Sequence, residues 1–138
     1  MDPVSIAAAS FSIAGAVARA SVAIFQFSLE AKEAKDDLNR VNQELQALST
    51  VLEPLARGLS CATAGSVSEE FADRIQSSLD GCALVVGQLE EKIAMYRRDG
   101  AWTRTKWVLL GRGDVEKLRN SLEAYKMALS LGLHSLSM

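Results

Sequence analysis

Four stretches of the chain carry apolar residues at helical spacing, and the first differs from the other three. From Pro3 to Leu29 the only ionisable side chain is Arg19. Two apolar stripes run this segment: Ile6, Ile13, Val17, Ala20, Ile24 and Phe27 form one, and Val4, Ala8, Phe11, Gly15, Ala18, Val22 and Phe25 form the other. Between them lies a ladder of small residues, Ala8, Ser12, Ala16 and Ala20. Apolar nearly all round, such a helix suits the centre of a bundle or lipid. From Val4 to Leu29 it would span about 39 Å against about 30 Å of hydrocarbon. A core helix, a membrane helix, and each in turn are all open on this pattern. Asp2 before Pro3 is a helix start, with a capping side chain followed by proline where its missing N–H does no harm.

A charged hinge, Glu30 to Asp37, separates this segment from an amphipathic one. Leu38, Val41, Leu45, Leu48, Leu52, Leu55 and Leu59 alternate at three and four residues, which predicts a second helix with a bundle seam. Pro54 falls inside that pattern and predicts a kink near Glu53. Gly58 to Ser68 reads as a loop, and Ser66 with Glu69 matches a capping box that starts a third helix. The third seam is Phe71, Ile75, Leu79, Cys82, Val86, Leu89, Ile93 and Tyr96, interrupted by Gly81 and Gly87, for which close packing is the expected reason. Asp114 is placed to cap a last helix with the seam Val115, Leu118, Leu122, Tyr125, Leu129, Gly132 and Leu136. That pattern is still running at Met138, as expected of a single domain, residues 1–138, excised from a longer protein.

Composition agrees with helices. Only 6% of the residues are aromatic and two are proline, and no alternating strand pattern is visible, so the expected fold class is all-α. The arrangement expected is a four-helix bundle with an apolar N-terminal helix and a short extra helix between the third and fourth long ones. Cys61 and Cys82 are too few for a disulfide scaffold, and the start of the chain lacks the basic region of a secretory signal. A cytosolic protein with reduced thiols is the expectation.

Charge changes the picture at one place. The chain's net charge is −2, yet Arg97, Arg98, Arg104, Lys106 and Arg112 gather in a short stretch with a single acid, Asp99, interleaved with Trp102, Trp107, Val108, Leu109 and Leu110. Basic side chains beside tryptophans match an anionic membrane surface, where the ring settles at headgroup level and the cation meets phosphate. On that reading Arg97, Arg98, Trp102, Arg104, Lys106 and Trp107 are lipid-headgroup residues. The competing reading has Trp107, Leu109 and Leu110 capping the bundle end among solvated charges. Nucleic acid is not an expected partner, since the flanking chain is acidic and no recognition motif is present.

Carriers of catalysis are missing. His134 stands alone, no phosphate-binding glycine loop or paired Cys-x-x-Cys occurs, and Asp36-Asp37 and Glu90-Glu91 read as solvated charge on helix faces. Arg112-Gly113-Asp114 reads as a turn into a helix cap. No catalytic, metal or cofactor site is expected.

The opening Met1-Asp2-Pro3-Val4-Ser5-Ile6-Ala7 with its Gly/Ala/Ser-rich helix is joined by a second block. This comprises Lys106-Trp107, Val115-Glu116-Lys117-Leu118-Arg119 and Leu122-Glu123-Ala124-Tyr125-Lys126, with Leu129 and Leu133 beyond. Together they resemble the HeLo-like N-terminal domains of fungal STAND (NOD-like receptor) proteins, similar in fold to the HET-S HeLo domain and the mixed-lineage kinase domain-like four-helix bundle. The resemblance implies a cell-death effector in innate immunity or heterokaryon incompatibility. It would be cytoplasmic at rest, triggered to homo-oligomerise by the rest of a STAND receptor or an amyloid-signalling partner, and would then permeabilise the plasma membrane through anionic lipids. The segment matching the family's membrane helix is Val4 to Phe27, with Val4, Ile6, Phe11, Ile13, Val17, Val22, Ile24, Phe25 and Phe27 as inserting residues. Arg19 departs from that pattern, at about 2.5–3.5 kcal/mol if placed mid-bilayer. A non-lytic module for self-association or docking is the alternative.

Overall fold

A computed structural model describes residues 2–62, 67–100 and 102–137. The described residues contain no strand, and four long helices make up most of the chain: α1 (Pro3–Glu30), α2 (Lys35–Cys61), α3 (Glu69–Asp99) and α5 (Arg112–Ser137). Asp2 caps α1 as its sequence implies, its carboxylate accepting from the Val4 N–H at 3.2 Å. Lys32–Ala34 is one tight 3-10 turn, and the buried Ala31 and Ala34 let α2 fold straight back on α1.

The seam of α2 is buried along its whole length, and the helix passes through Pro54 without ending. It runs on to Cys61, so the loop expected from Gly58 begins at Ala62. Ser66 lies outside the described residues; the cap of α3 is Ser68, whose hydroxyl accepts from the Phe71 N–H at 3.1 Å. Gly100, with φ of 67°, ends α3 by taking the left-handed conformation glycine tolerates.

The expected separate helix before α5 is instead fused to it. Thr103 caps a three-residue turn, α4 (Arg104–Lys106), which passes through a π-turn, Trp107–Gly111, directly into α5. Arg112-Gly113-Asp114 is therefore helical, and Asp114 pairs with Lys92 at 3.2 Å rather than capping anything.

Each long helix packs against two others: α1 against α2 and α3, and α5 against the same pair. The apolar N-terminal helix is thus one corner of the bundle and not its centre. Its inner stripe, Ile6, Ile13, Val17, Ala20, Ile24 and Phe27, joins the core. Cys82 is also core, and burial pushes its thiol up to about 12, which makes it a packing residue.

The two α3 glycines have different reasons. A Cβ on Gly81 would fall on the Tyr125 ring, whereas one on Gly87 would meet open space, so close packing explains only the first. Gly87→Ala is expected to raise unfolding stability by about 0.5–1 kcal/mol through helix propensity. Gly81→Ala is expected to lower it, because overpacking costs about 1–3 kcal/mol. Urea unfolding of both variants checks the order; equal effects would remove the packing role of Gly81.

Candidate interaction surfaces

α1 carries more apolar surface than its neighbours cover. Five inserting candidates, Ile6, Ile13, Val17, Ile24 and Phe27, are buried. The other four, Val4, Phe11, Val22 and Phe25, are at least half exposed, and Leu29 continues their line. With Ala8, Gly15 and Ala18 they form an uncovered stripe at regular three- and four-residue spacing. Arg19 is exposed beside it, its guanidinium lying back toward Gly15. The charge within the apolar segment therefore sits in water in this conformation.

The basic stretch is built differently from its headgroup reading. Trp107 is fully buried and Trp102 nearly so. Their rings pack with Phe27 and Tyr96 at centroid distances of 4.8–6.3 Å, mostly edge-on. Both indoles are satisfied internally: Trp102 Nε1–H donates to the Tyr96 carbonyl and Trp107 Nε1–H to the Asp37 carboxylate, each at 2.7 Å. An indole with its polar atom so engaged gains nothing from headgroup level, so these rings cap the bundle end. The Tyr96 hydroxyl is buried without a partner, and burial, then the nearby Asp114 charge, pushes it up to about 12.

The cations divide. Arg97 clamps α1 to α3, its guanidinium donating to Glu30 at 2.8 and 3.2 Å and to Gln26 at 3.0 Å. Lys106 stands 4.5 Å over the Trp102 ring. Arg98 and Arg104 are exposed. Of the proposed headgroup set, Arg98, Arg104 and Lys106 remain available to an outside anion.

Sequence reasoning misplaced Asp37, which is no solvated charge. Besides Trp107 it accepts from Arg112 Nε at 3.0 Å, and Arg40 lies at 3.7 Å. Burial alone would raise its carboxyl, but the two hydrogen bonds and the Arg112 and Arg40 charges outweigh that and hold it below its usual 3.8. No signal in the chain could have found this contact, because the partners lie far apart in sequence.

Leu109 and Leu110 also depart from the capping reading. They are 74% and 61% exposed, and Val108 beside them is 43% exposed. Three adjacent apolar side chains thus project from the π-turn.

Residues 1–138 match the family described as pigment biosynthesis cluster protein PigL N-terminal. The chain belongs to this family. No curated protein and no solved structure matches it. Membership in the PigL N-terminal family fits an all-helical N-terminal domain. Among the described residues of this family member, no cluster of three or more His, Cys, Asp or Glu side chains could hold a metal ion.

Asp37→Ala would leave the Trp107 and Arg112 donors without their acceptor, at about 1–3 kcal/mol of stability at neutral pH. A carboxyl whose folded pKa is lowered stabilises above its unfolded value and loses that contribution as pH falls through the folded one. The difference between parent and variant is therefore expected to shrink below pH 3.8. Thermal melts across pH 2–7 measure it; a difference independent of pH would contradict the ionic contact.

Proposed function

We propose that this domain is a membrane-engaging module whose α1 meets the bilayer through its outer stripe. The observation that carries the reading is the uncovered line Val4, Phe11, Val22, Phe25 and Leu29 on a helix otherwise anchored in the core. A stripe about 39 Å long and about 10 Å wide is about 400 Å², within the range of patches that mark interaction sites. It is about half of what one partner contributes to a stable protein interface, which favours lipid over a second folded surface.

Magnitudes order the steps. Extracting α1 would expose Ile6, Ile13, Val17, Ile24 and Phe27 together, about 8–15 kcal/mol at about 1.5–3 kcal/mol each. Laying the outer stripe on a bilayer costs none of that, and Arg19, exposed at its flank, can reach the headgroups. α1 therefore lies flat on the bilayer with the bundle intact before any insertion. Resemblance to HeLo-like domains extends the reading to a second stage. On a trigger from the rest of the receptor or an amyloid partner, copies gather at the plasma membrane, α1 inserts, and the membrane leaks as part of a cell-death response. For a family whose description refers to a pigment biosynthesis cluster, the first stage alone would place an attached protein at a membrane surface.

The docking alternative keeps one specific support. The outer stripe has the spacing of a coiled-coil seam, and two antiparallel α1 helices centred between Gly15 and Ala18 would set Phe25 against Ala8 and Phe11 against Val22.

Phe11→Asp separates the readings from a folding defect, because Phe11 is half exposed while Val17 is buried. The Phe11→Asp protein is expected to melt within a few degrees of the parent yet lose dye release from anionic vesicles at least about tenfold. Val17→Asp is expected to unfold. A folded Phe11→Asp variant that leaks like the parent would remove α1 as the inserting element; a parent that dimerises in solution and releases no dye favours docking.

A further inference from the structure

We propose that the π-turn Trp107–Gly111 is a second membrane anchor, in which Val108, Leu109 and Leu110 enter the acyl boundary of an anionic bilayer while Arg104, Lys106 and Arg98 meet its headgroups. The inference rests on the membrane reading above and assigns the initial docking contact to a different element.

The local chemistry explains why this tip exists. Trp107 and Gly111 are both buried, and a side chain on Gly111 would collide with the Trp107 ring. Glycine there lets the indole lie flat against its own helix, where the Asp37 carboxylate fixes it. Widening to a π-turn then leaves the three residues between the two buried positions facing outward. Such turns are costly irregularities that concentrate at functional sites. A helix end with Leu109 and Leu110 among the more exposed apolar side chains, along with Leu131, Leu84 and Met127, gains nothing for the bundle.

Charge selects the occupant. No acid lies between Asp99 and Asp114, whereas Arg104 and Lys106 stand immediately before the tip. Lys106 is held over Trp102, so its ammonium is positioned rather than wandering. The adjoining cleft is balanced, with Lys32, Arg40, Arg104 and Arg112 facing Glu33, Asp36, Asp37 and Glu116. Aliphatic side chains framed by Arg98, Arg104 and Lys106 fit a phosphatidylserine-type surface, where each basic residue near the plane adds about 1 kcal/mol and the leucines add burial. The Trp107 and Phe27 rings are 6.2 Å apart, so the tip stands at the end of the bundle where α1 finishes.

The test is flotation of the whole domain with vesicles of phosphatidylcholine alone or with about one third phosphatidylserine, in three variants. Leu109→Ser with Leu110→Ser is expected to lower partition onto anionic vesicles about tenfold or more with an unchanged melt, and Leu109→Ala with Leu110→Ala to lower it less. Replacing Arg98, Arg104 and Lys106 by Gln is expected to abolish the preference for phosphatidylserine. Phe11→Ser with Phe25→Ser is expected to keep partition within about threefold and lose dye release. Tip variants that bind like the parent overturn the proposal, and if the α1 variant then loses binding, the α1 reading stands alone. Loss of binding by the tip variant with parental leakage from the α1 variant would leave the anchor standing and overturn the role of α1. A parent that floats with no vesicle of either composition overturns both.

Discussion

A four-helix ring gives each helix two neighbours, and that geometric limit governs everything else in this domain. Three of the helices are amphipathic, and the ring covers the main apolar stripe of each. α1 is apolar on both sides, so contact with α2 and α3 buries the stripe from Ile6 to Phe27 and leaves the stripe from Val4 to Leu29 in water. The same helix is thereby both a structural wall and an unfilled interface. Ser10, buried on the inner side, satisfies its hydroxyl on the Ile6 carbonyl at 3.0 Å and disturbs nothing. Arg19 falls on the outer side, where it adds no desolvation cost at rest.

The end of the bundle solves a second problem, the closing of the core beyond the last turns of α1 and α3. Phe27, Tyr96, Trp102 and Trp107 fill it, and the Asp37 carboxylate at the start of α2 joins Trp107 and Arg112 to the opposite side of the turn. The tryptophans are thereby taken out of contention as lipid ligands. The aliphatic residues beside them, Val108, Leu109 and Leu110, are instead left exposed at the π-turn. Arg97 similarly serves the fold, tying the last turn of α1 to α3 through Glu30 and Gln26.

The seam of α2 was legible in full, and those of α3 and α5 in the main, because each has one apolar stripe and burial follows it; Phe71, Leu118, Tyr125 and Leu136 are only partly covered. For α1 both stripes were visible, but periodicity carries no information on which one a neighbour covers, so core and lipid placement stayed open until packing against α2 and α3 selected the inner stripe. Asp37 was illegible because its role depends on partners supplied by another helix end. The π-turn was illegible because Trp107 and Gly111 keep ordinary helical spacing. Three consecutive apolar residues, Val108 to Leu110, were the available signal: no face of a regular helix buries all three. Asp114 fitted a cap in isolation, but Thr103 had already started the helix that runs through it.

The central claim is that the outer stripe of α1 meets lipid while the inner stripe stays in the core. It is tested most directly by a polarity-sensitive fluorophore on a cysteine introduced at position 22, compared with one at the exposed Glu116, with Cys61 replaced by Ser and the buried Cys82 left unlabelled in the core. On adding anionic vesicles the label at position 22 is expected to shift to the blue and become shielded from aqueous quencher, while the label at position 116 stays unchanged. Vesicle-bound protein whose position-22 label keeps its aqueous spectrum would contradict the account.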